Sequence, residues 1–449
     1  MRRSELYDLR YAYFQEYKYR MKRWDLFNYE VLSNIMYIRR SNGETFNDCI
    51  IMFDTETSKK DPAVIGENHI CAFTVSIRAF DKNIVTLYGS RPQDLISCLE
   101  KIHETFEGDN TIFYCHNYAY DYVFCRKFMF AAWGTPSKAL FVKPHYPIYM
   151  LFKNGIIIKD SLILSQKSLE RWAKDLDVEH KKAVGKWDYL KIRDQEGKFS
   201  KNEKEYIEND TLAGVECIDA TMQALHKRVY SMPYTATGIP REEVYKRGKE
   251  HDAHRFFRKV SGDYDFYKIE ERCFHGGYVH GNRYFLGDII TEKVRCYDFA
   301  SSYPYCICAF KFPMDKFVPW KGCDAKTIIK NSEKYSFIFK LILYKFEVKN
   351  EFEPMPMLQY SKLINPINCV QDNGRVLQGD YAEIYMTEWD LKIFLKQYIA
   401  PGHICEEVYY SRKDYLPRWF TDYVYELYKA KTRLKGGDPI EYALAKARL

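Results

Sequence analysis

No stretch of the 449-residue chain is apolar for long enough to cross a bilayer. That would take about twenty consecutive apolar residues, and the longest runs here are short and interrupted. The first residues, Met1-Arg2-Arg3-Ser4-Glu5-Leu6-Tyr7, lack the apolar centre of a signal peptide. The thirteen cysteines include no C-x-x-C pair, their closest spacing is Cys306–Cys308, and their number is odd. A structural zinc site and a secreted disulfide scaffold therefore both lack support, and reduced thiols in a cytoplasmic protein are expected. Internal repeats and low-complexity segments are missing as well.

The composition present is that of a soluble globular protein, with 46% hydrophobic and 29% charged residues. The length predicts two or three domains. A net charge of +7 permits a polyanionic partner without establishing one. The aromatic content is high, 17% with 39 tyrosines. Rings interleaved with Lys and Arg suit stacking on bases beside phosphate contacts, and they suit an aromatic core equally well.

Residues 1–45 are basic and aromatic, as in Arg10-Tyr11-Ala12-Tyr13-Phe14, and read as one or two surface helices. A solvated extension is expected there in preference to a nucleic-acid-binding arm. Over residues 46–228 apolar runs at 49–53, 69–79, 111–115, 149–152 and 155–160 alternate with helical stretches such as 92–106 and 200–227. That alternation predicts one α/β domain around a buried sheet. Further on, 294–299 reads as a strand ending in Asp298, with more strands at 337–346 and 383–387. A helix is expected over 388–397, and a helical tail over 416–449 broken at Gly436-Gly437-Asp438-Pro439.

Three sets of acids stand out. Asp54 and Glu56 are two apart at the end of an apolar strand, so both side chains leave the same face and can share hard divalent cations. Asp121 follows the third run within His116-Asn117-Tyr118-Ala119-Tyr120-Asp121, and Asp210 lies four residues beyond Tyr206 on the long helix. Any one of these acids alone reads as a surface or capping carboxylate. Four acids from a strand, a post-strand turn and a helix match two-metal phosphodiester hydrolysis, in which cations about 4 Å apart activate water and steady the leaving oxygen.

Asp54-Thr55-Glu56-Thr57, the stretch Asn117 to Asp121, and the stretch Tyr206 to Asp210 resemble the three motifs of the proofreading 3′–5′ exonuclease domain of DNA polymerases. Asp298-Phe299-Ala300-Ser301-Ser302-Tyr303-Pro304 resembles the first polymerase motif of family B. Phe274-His275-Gly276-Gly277 resembles the Tyr-x-Gly-Gly loop between the two domains. The order and spacing are similar to the protein-primed branch of family B, found in phages and linear plasmids, from about residue 48 onward.

The resemblance implies a ribonuclease H-like exonuclease domain over 46–228, a partial α+β polymerase palm over 229–309, a palm insertion of the priming-protein type over 310–416 and the start of the fingers over 417–449. It implies two Mg2+ or Mn2+ ions per active site, held in the exonuclease by Asp54, Glu56, Asp121 and Asp210 with Tyr206 at the water and Lys186 as the catalytic lysine. Thr57, Asn117 and Tyr120 would contact the single-stranded 3′ end. In the polymerase lobe Asp298 and the Phe299 carbonyl would hold metal, Tyr303 would stack under the incoming sugar, and Lys446, with Lys429 or Lys431, would clamp the triphosphate. Gly276, Gly277 and Ser301 would lie along DNA. The implied partners are DNA, deoxynucleoside triphosphates and a priming terminal protein, with no membrane, in the cytoplasm of the host of a phage or mobile element. Phe274 replaces the family's Tyr, and Ser302 stands where Leu is usual. No Asp-Thr-Asp, the segment bearing the second palm aspartate, occurs in the 449 residues, so this chain is expected to degrade DNA and not to extend it. A stand-alone nuclease and a non-catalytic nucleic-acid-binding protein are the alternative readings.

Overall fold

The computed structural model describes residues 3–59, 68–106, 108–181, 187–188, 191–277, 279–437 and 439–449. The chain divides into two units, Met1–Glu242 with Ala430–Leu449, and Glu243–Lys429.

The first unit runs α1 (Arg3–Glu16), β1 (Arg20–Arg23), β2 (Tyr37–Arg39), β3 (Thr45–Asn47), β4 (Ile50–Lys59), β5 (Asn68–Ala79), β6 (Lys82–Gly89), α2 (Pro92–Thr105), β7 (Thr111–Cys115), α3 (Tyr118–Trp133), β8 (Lys138–Phe141), β9 (Pro147–Leu151), β10 (Ile156–Asp160), α4 (Ser161–Ser165), α5 (Leu169–Asp175) and α6 (Lys201–Ala224). Eight strands form one sheet in the order β1-β6-β5-β4-β7-β10-β9-β8. β4 lies at its centre, antiparallel to β5 and parallel to β7, and β7 is parallel to β10.

The run Ile50-Ile51-Met52-Phe53 is apolar at every position because both faces of β4 are covered. Ile51 and Phe53 join the core built with α2 and α3, whereas Ile50 and Met52 join the core built with α5 and α6. Continuing the alternation sends Asp54 and Glu56 toward α6, and Thr55 toward α3.

The register of α6 is set by alternate residues of β5. The Thr74 hydroxyl donates to the Ile207 carbonyl at 2.9 Å, Ser76 donates to Thr211 at 2.7 Å, and Arg78 pairs with Asp219 at 2.7 Å. Gly214 lets the helix lie close on β4, since a Cβ there would stand 1.9 Å from the Met52 sulfur. A capping box starts the helix: Glu203 N–H donates to the Ser200 hydroxyl, and Ser200 N–H to the Glu203 carboxylate.

Residues 3–45 are not a solvated extension. β1 extends the sheet by pairing in parallel with β6, and Phe14, Phe27, Leu32 and Ile35 are buried in the core shared with α2. One expected helix is present as α1, but beyond it the apolar positions are spaced irregularly, through two short 3-10 turns at Trp24–Leu26 and Tyr29–Asn34, so no period marks their burial in the sequence.

The second unit contains α7 (Gly238–Glu250, which begins in the first), α8 (Ala253–Val260), α9 (Tyr264–Cys273), α10 (Ser302–Ala309), β11 (Phe312–Pro313), β12 (Val318–Pro319), α11 (Ala325–Asn331), β13 (Tyr335–Val348), β14 (Ile364–Ile367), β15 (Val370–Asp372), β16 (Arg375–Thr387), α12 (Glu388–Gln397), β17 (Tyr398–Ile399), β18 (Ile404–Asp414) and α13 (Arg418–Leu434, which ends in the first). α14 (Pro439–Arg448) packs on α5 and α6 within the first unit. The long strand β13 sits between β16 and β18, antiparallel to both. Its odd positions Phe337, Phe339, Leu341 and Leu343 enter a core shared with α11 and α12, while Ile338 meets Phe266 and Cys273 of α9 on the other face.

The expected strand over 294–299 is absent. Those residues are irregular and exposed, with Tyr297 82% and Phe299 86% accessible. A strand needs a ladder partner, and no described strand pairs with this segment. None of the described helices is long and apolar enough to cross a membrane.

Lys159 of β10 is buried. Its ammonium donates to the carbonyls of Val229 and Met232 at 3.5 Å and lies over the rings of Tyr114 and Tyr234. Burial lowers its pKa from the ordinary 10.5 to about 7. Between those values the unfolded chain holds a proton that the folded chain releases, so this group makes stability rise with pH through that window. Lys159→Met is expected to remove a slope of up to about 1.4 kcal/mol per pH unit, read from urea midpoints at pH 7, 8 and 9.

Candidate active site

Asp54, Glu56 and Asp210 meet between β4 and α6, each offering a carboxylate oxygen, with all three oxygens within 4.8 Å of one another. Two come from one face of β4 and the third from the helix that β5 holds against it. Like charges at this spacing repel unless a cation lies between them, and oxygen donors from carboxylates suit a hard divalent ion.

Asp121 approaches from the other side. Its Oδ1 accepts from the Thr55 N–H at 3.1 Å and the Thr55 hydroxyl at 2.5 Å, and its Oδ2 accepts from the Cys115 thiol at 3.3 Å. Burial raises its pKa above the ordinary carboxylate range, against those hydrogen bonds. It is thus fastened to the strand carrying the other two acids and is not one of the three that converge.

Tyr206 is buried and stacks on Trp187 with ring centroids 5.6 Å apart. The Arg193 guanidinium lies 3.9 Å from the centre of the Trp187 ring and forks onto Glu203 from Nε and Nη2 at 3.1 and 2.8 Å. Arg193, Trp187 and Tyr206 therefore form one stack fixed to the start of α6. Against its burial, hydrogen bonds from Lys191, the Ser200 N–H and Arg193 hold the Glu203 carboxyl down at about 2. Neither Trp187 nor Arg193 is marked by motif or period in the sequence.

Thr57 and Tyr120 face each other, hydroxyl to hydroxyl at 2.6 Å, and Tyr120 stays 44% exposed. Asn117 is exposed, in a left-handed conformation (φ 66°) at the start of α3. Its N–H donates to Asp160 at 3.1 Å, and the Leu162 N–H donates to the same oxygen at 2.8 Å. Burial pushes the Asp160 carboxyl up to about 6. Asp160 thereby ties the start of α3 to the start of α4, a link the sequence reading missed; its one signal was an apolar strand ending in an acid. Lys186 lies outside the described residues.

A second grouping, Glu179, His180 and Glu216, is closed on itself. Glu216 accepts from the His180 ring at 2.6 Å, the His180 N–H at 2.9 Å and Asn83 at 2.7 Å, tying the segment before Trp187 to α6.

The polymerase-like residues are not gathered in this way. Asp298 and Phe299 lie on the irregular exposed segment, Ser301 is left-handed (φ 55°) at the start of α10, and Tyr303 is 77% exposed. Gly276 and Gly277 have open space where a Cβ would point. Lys429 lies over the Tyr425 ring in the second unit, whereas Lys431 on α13 and Lys446 on α14 belong to the first. Among the described residues no cluster of three ligating side chains includes Asp298.

The chain is a mixed α/β protein with one converging carboxylate cluster, and comparison with known proteins assigns its family. Residues 185–449 match the family described as DNA polymerase type B, organellar and viral, and the chain belongs to that family. No curated protein matches. The fold is similar to that of solved phi29 DNA polymerases. A complex with primer-template DNA matches with a TM-score of 0.64 at 16% identity, and one with single-stranded DNA with 0.65 at 16%. An orthorhombic crystal form matches with 0.63 at 17%. Each match covers 89% of this chain, which spans 66% of the length of those polymerases. The resemblance to family B is thus borne out, and the fold is that of a phage polymerase.

Proposed function

We propose that the first unit is a ribonuclease H-like 3′–5′ exonuclease and that the chain is the proofreading part, with an incomplete palm, of a protein-primed DNA polymerase. The observation that carries this reading is the convergence of Asp54, Glu56 and Asp210 within 4.8 Å beside exposed Tyr120. A central strand flanked by an antiparallel pair on one side and parallel strands on the other supports it.

Asp54, Glu56 and Asp210 would hold Mg2+ or Mn2+, with Asp121 contributing to a second ion. A divalent ion held there would supply Lewis-acid activation of water and charge neutralisation at the scissile phosphate. The protein's own residues do the positioning. Tyr206, wedged by Trp187, orients the attacking water. Thr57, Tyr120 and Asn117 seat the terminal nucleotides of a single strand, and Lys186, outside the described residues, is the catalytic lysine that the family resemblance implies. Asp298, Phe299 and Tyr303, with Lys446 and Lys429 or Lys431, would serve primer-template DNA and deoxynucleoside triphosphates once the second palm aspartate is supplied. The insertion at 310–416 would meet the priming protein.

The test uses a 3′-labelled single strand and a recessed primer-template, with magnesium and all four deoxynucleotides. Release of the label without growth of the primer is expected. Primer growth would refute the incomplete palm, and absence of both reactions would refute the exonuclease reading.

A further inference from the structure

Tyr206 and Asp210 stand on α6, and the N-terminal segment grips that helix between them. β1 pairs in parallel with β6, which places Met21 opposite Thr86. Met21 packs on the buried cluster of Cys71, Ala72, Trp187, Tyr206 and Ile207. Two residues earlier, just before β1, the Tyr19 hydroxyl donates to the Glu208 carboxylate and lies 2.9 Å from the Thr86 hydroxyl. Residues two apart in an extended chain leave it on the same side, so Tyr19 and Met21 meet the helix together.

The contact at Thr86 continues through the sheet. The Thr86 hydroxyl stands 2.6 Å from that of Ser76, Ser76 donates to Thr211 at 2.7 Å, Thr211 reaches Thr74 at 3.3 Å, and Thr74 donates to the Ile207 carbonyl at 2.9 Å. Thr74, Ser76, Thr86 and Thr211 are buried, so a broken link leaves a hydroxyl unmet. β5 thus holds Ile207 and Thr211, while the N-terminal segment holds Glu208. At about 100° per residue, these three lie on other faces of α6 than the one shared by Tyr206 and Asp210. Fixing them fixes the rotation of the helix about its axis, and with it the direction of Asp210.

We propose that Tyr19 is a positioning residue for the carboxylate site: through Glu208 it holds α6 in the rotation that brings Asp210 to Asp54 and Glu56. Its effect on hydrolysis rests on the exonuclease reading. Groups that act together must be held to within about 0.5 Å of their working geometry. The partners of the Tyr19 hydroxyl are Glu208 and Thr86, so Tyr19→Phe leaves all three converging acids in the chain and changes only how firmly one of them is aimed.

The experiment measures Mn2+ binding to the full chain without DNA, from the electron spin resonance of the unbound ion, with thermal unfolding showing that each variant folds. Tyr19→Phe and Glu208→Ala should each weaken binding about tenfold, the low end of what losing an outer-shell partner costs. The two changes together should do no more than either alone, since they remove one bond. Glu208→Gln keeps an acceptor oxygen and should bind as wild type, which separates the bond from the charge; if Tyr19→Phe fails to fold, Glu208→Ala against Glu208→Gln makes the same comparison. Release of a 3′ label in magnesium should show a lower kcat for Tyr19→Phe at unchanged KM for the strand. No Mn2+ binding by wild type, a Tyr19→Phe variant that only unfolds at lower temperature, or additive effects in the double variant overturns the positioning role. If Asp54→Ala plus Glu56→Ala leaves label release unchanged, the exonuclease reading falls. If release follows those carboxylates but Tyr19→Phe binds Mn2+ as wild type does, the positioning role alone falls.

Discussion

Replacing Asp54 and Glu56 together by alanine is expected to slow release of a 3′-terminal nucleotide by about a thousandfold, because metal stabilisation of the transferring phosphate is worth several kcal/mol and each 1.4 kcal/mol is tenfold in rate. Both residues lie on the face of β4 that Asp210 approaches, so the double change removes two of the three converging carboxylates. Asp210→Asn should bring a comparable loss from the helix side. Thr55→Val works differently: it deletes the hydroxyl that fastens Asp121 and leaves the three-acid cluster in place. Rates measured across a magnesium titration separate the cases, since loss of ligands also raises the metal concentration needed for half-maximal rate. Equal rates for wild type and the Asp54, Glu56 double variant would remove the basis for assigning hydrolysis to this cluster.

The largest expected effect on stability lies in the second unit. Lys413 of β18 and Glu388, the first residue of α12, form an ion pair at 2.5 Å with both side chains buried. Glu388 also accepts from the Phe337 N–H at 2.7 Å, and Lys413 donates to the Ser332 carbonyl at 2.8 Å. Removing one partner leaves a buried charge uncompensated, so Glu388→Ala should cost about 3–5 kcal/mol. The double replacement Glu388→Leu with Lys413→Met should cost much less, since the charge goes with its partner. Hydrogen exchange of the β13 amides in the three variants checks this. Equal protection in the single and double variants would show that the pair is not coupled.

Much of the fold was legible because its elements carry local signals. The helix expected at 388–397 is α12, the break at 436–439 separates α13 from α14, and the strand expected at 337–346 lies within β13. The strand expected to end at the acid pair was too short: β4 runs on to Lys59, with the acid pair inside it. Polar residues obscured that continuation, although they keep the alternation of a strand whose neighbour β5 supplies the ladder. α3 went unmarked because its face toward the sheet is as aromatic as its outer one, which leaves no 3.6-residue contrast to read.

Sequence by itself determined the candidate acids, their order, and that Asp54 and Glu56 share a face, since a strand has a fixed period of two. It also carried the family, through motifs whose spacing along the chain survives without any knowledge of contacts. Only the tertiary structure decided which face of β4 meets which helix. That choice brings Asp210 to Asp54 and Glu56 and leaves Asp121 fastened to Thr55. It likewise decided that residues 3–45 complete the sheet and core, that 294–299 has no strand to pair with, and that Trp187 and Arg193 fix Tyr206. Each of these depends on contacts between residues far apart in the chain, and such contacts leave no periodic trace in the order of the amino acids.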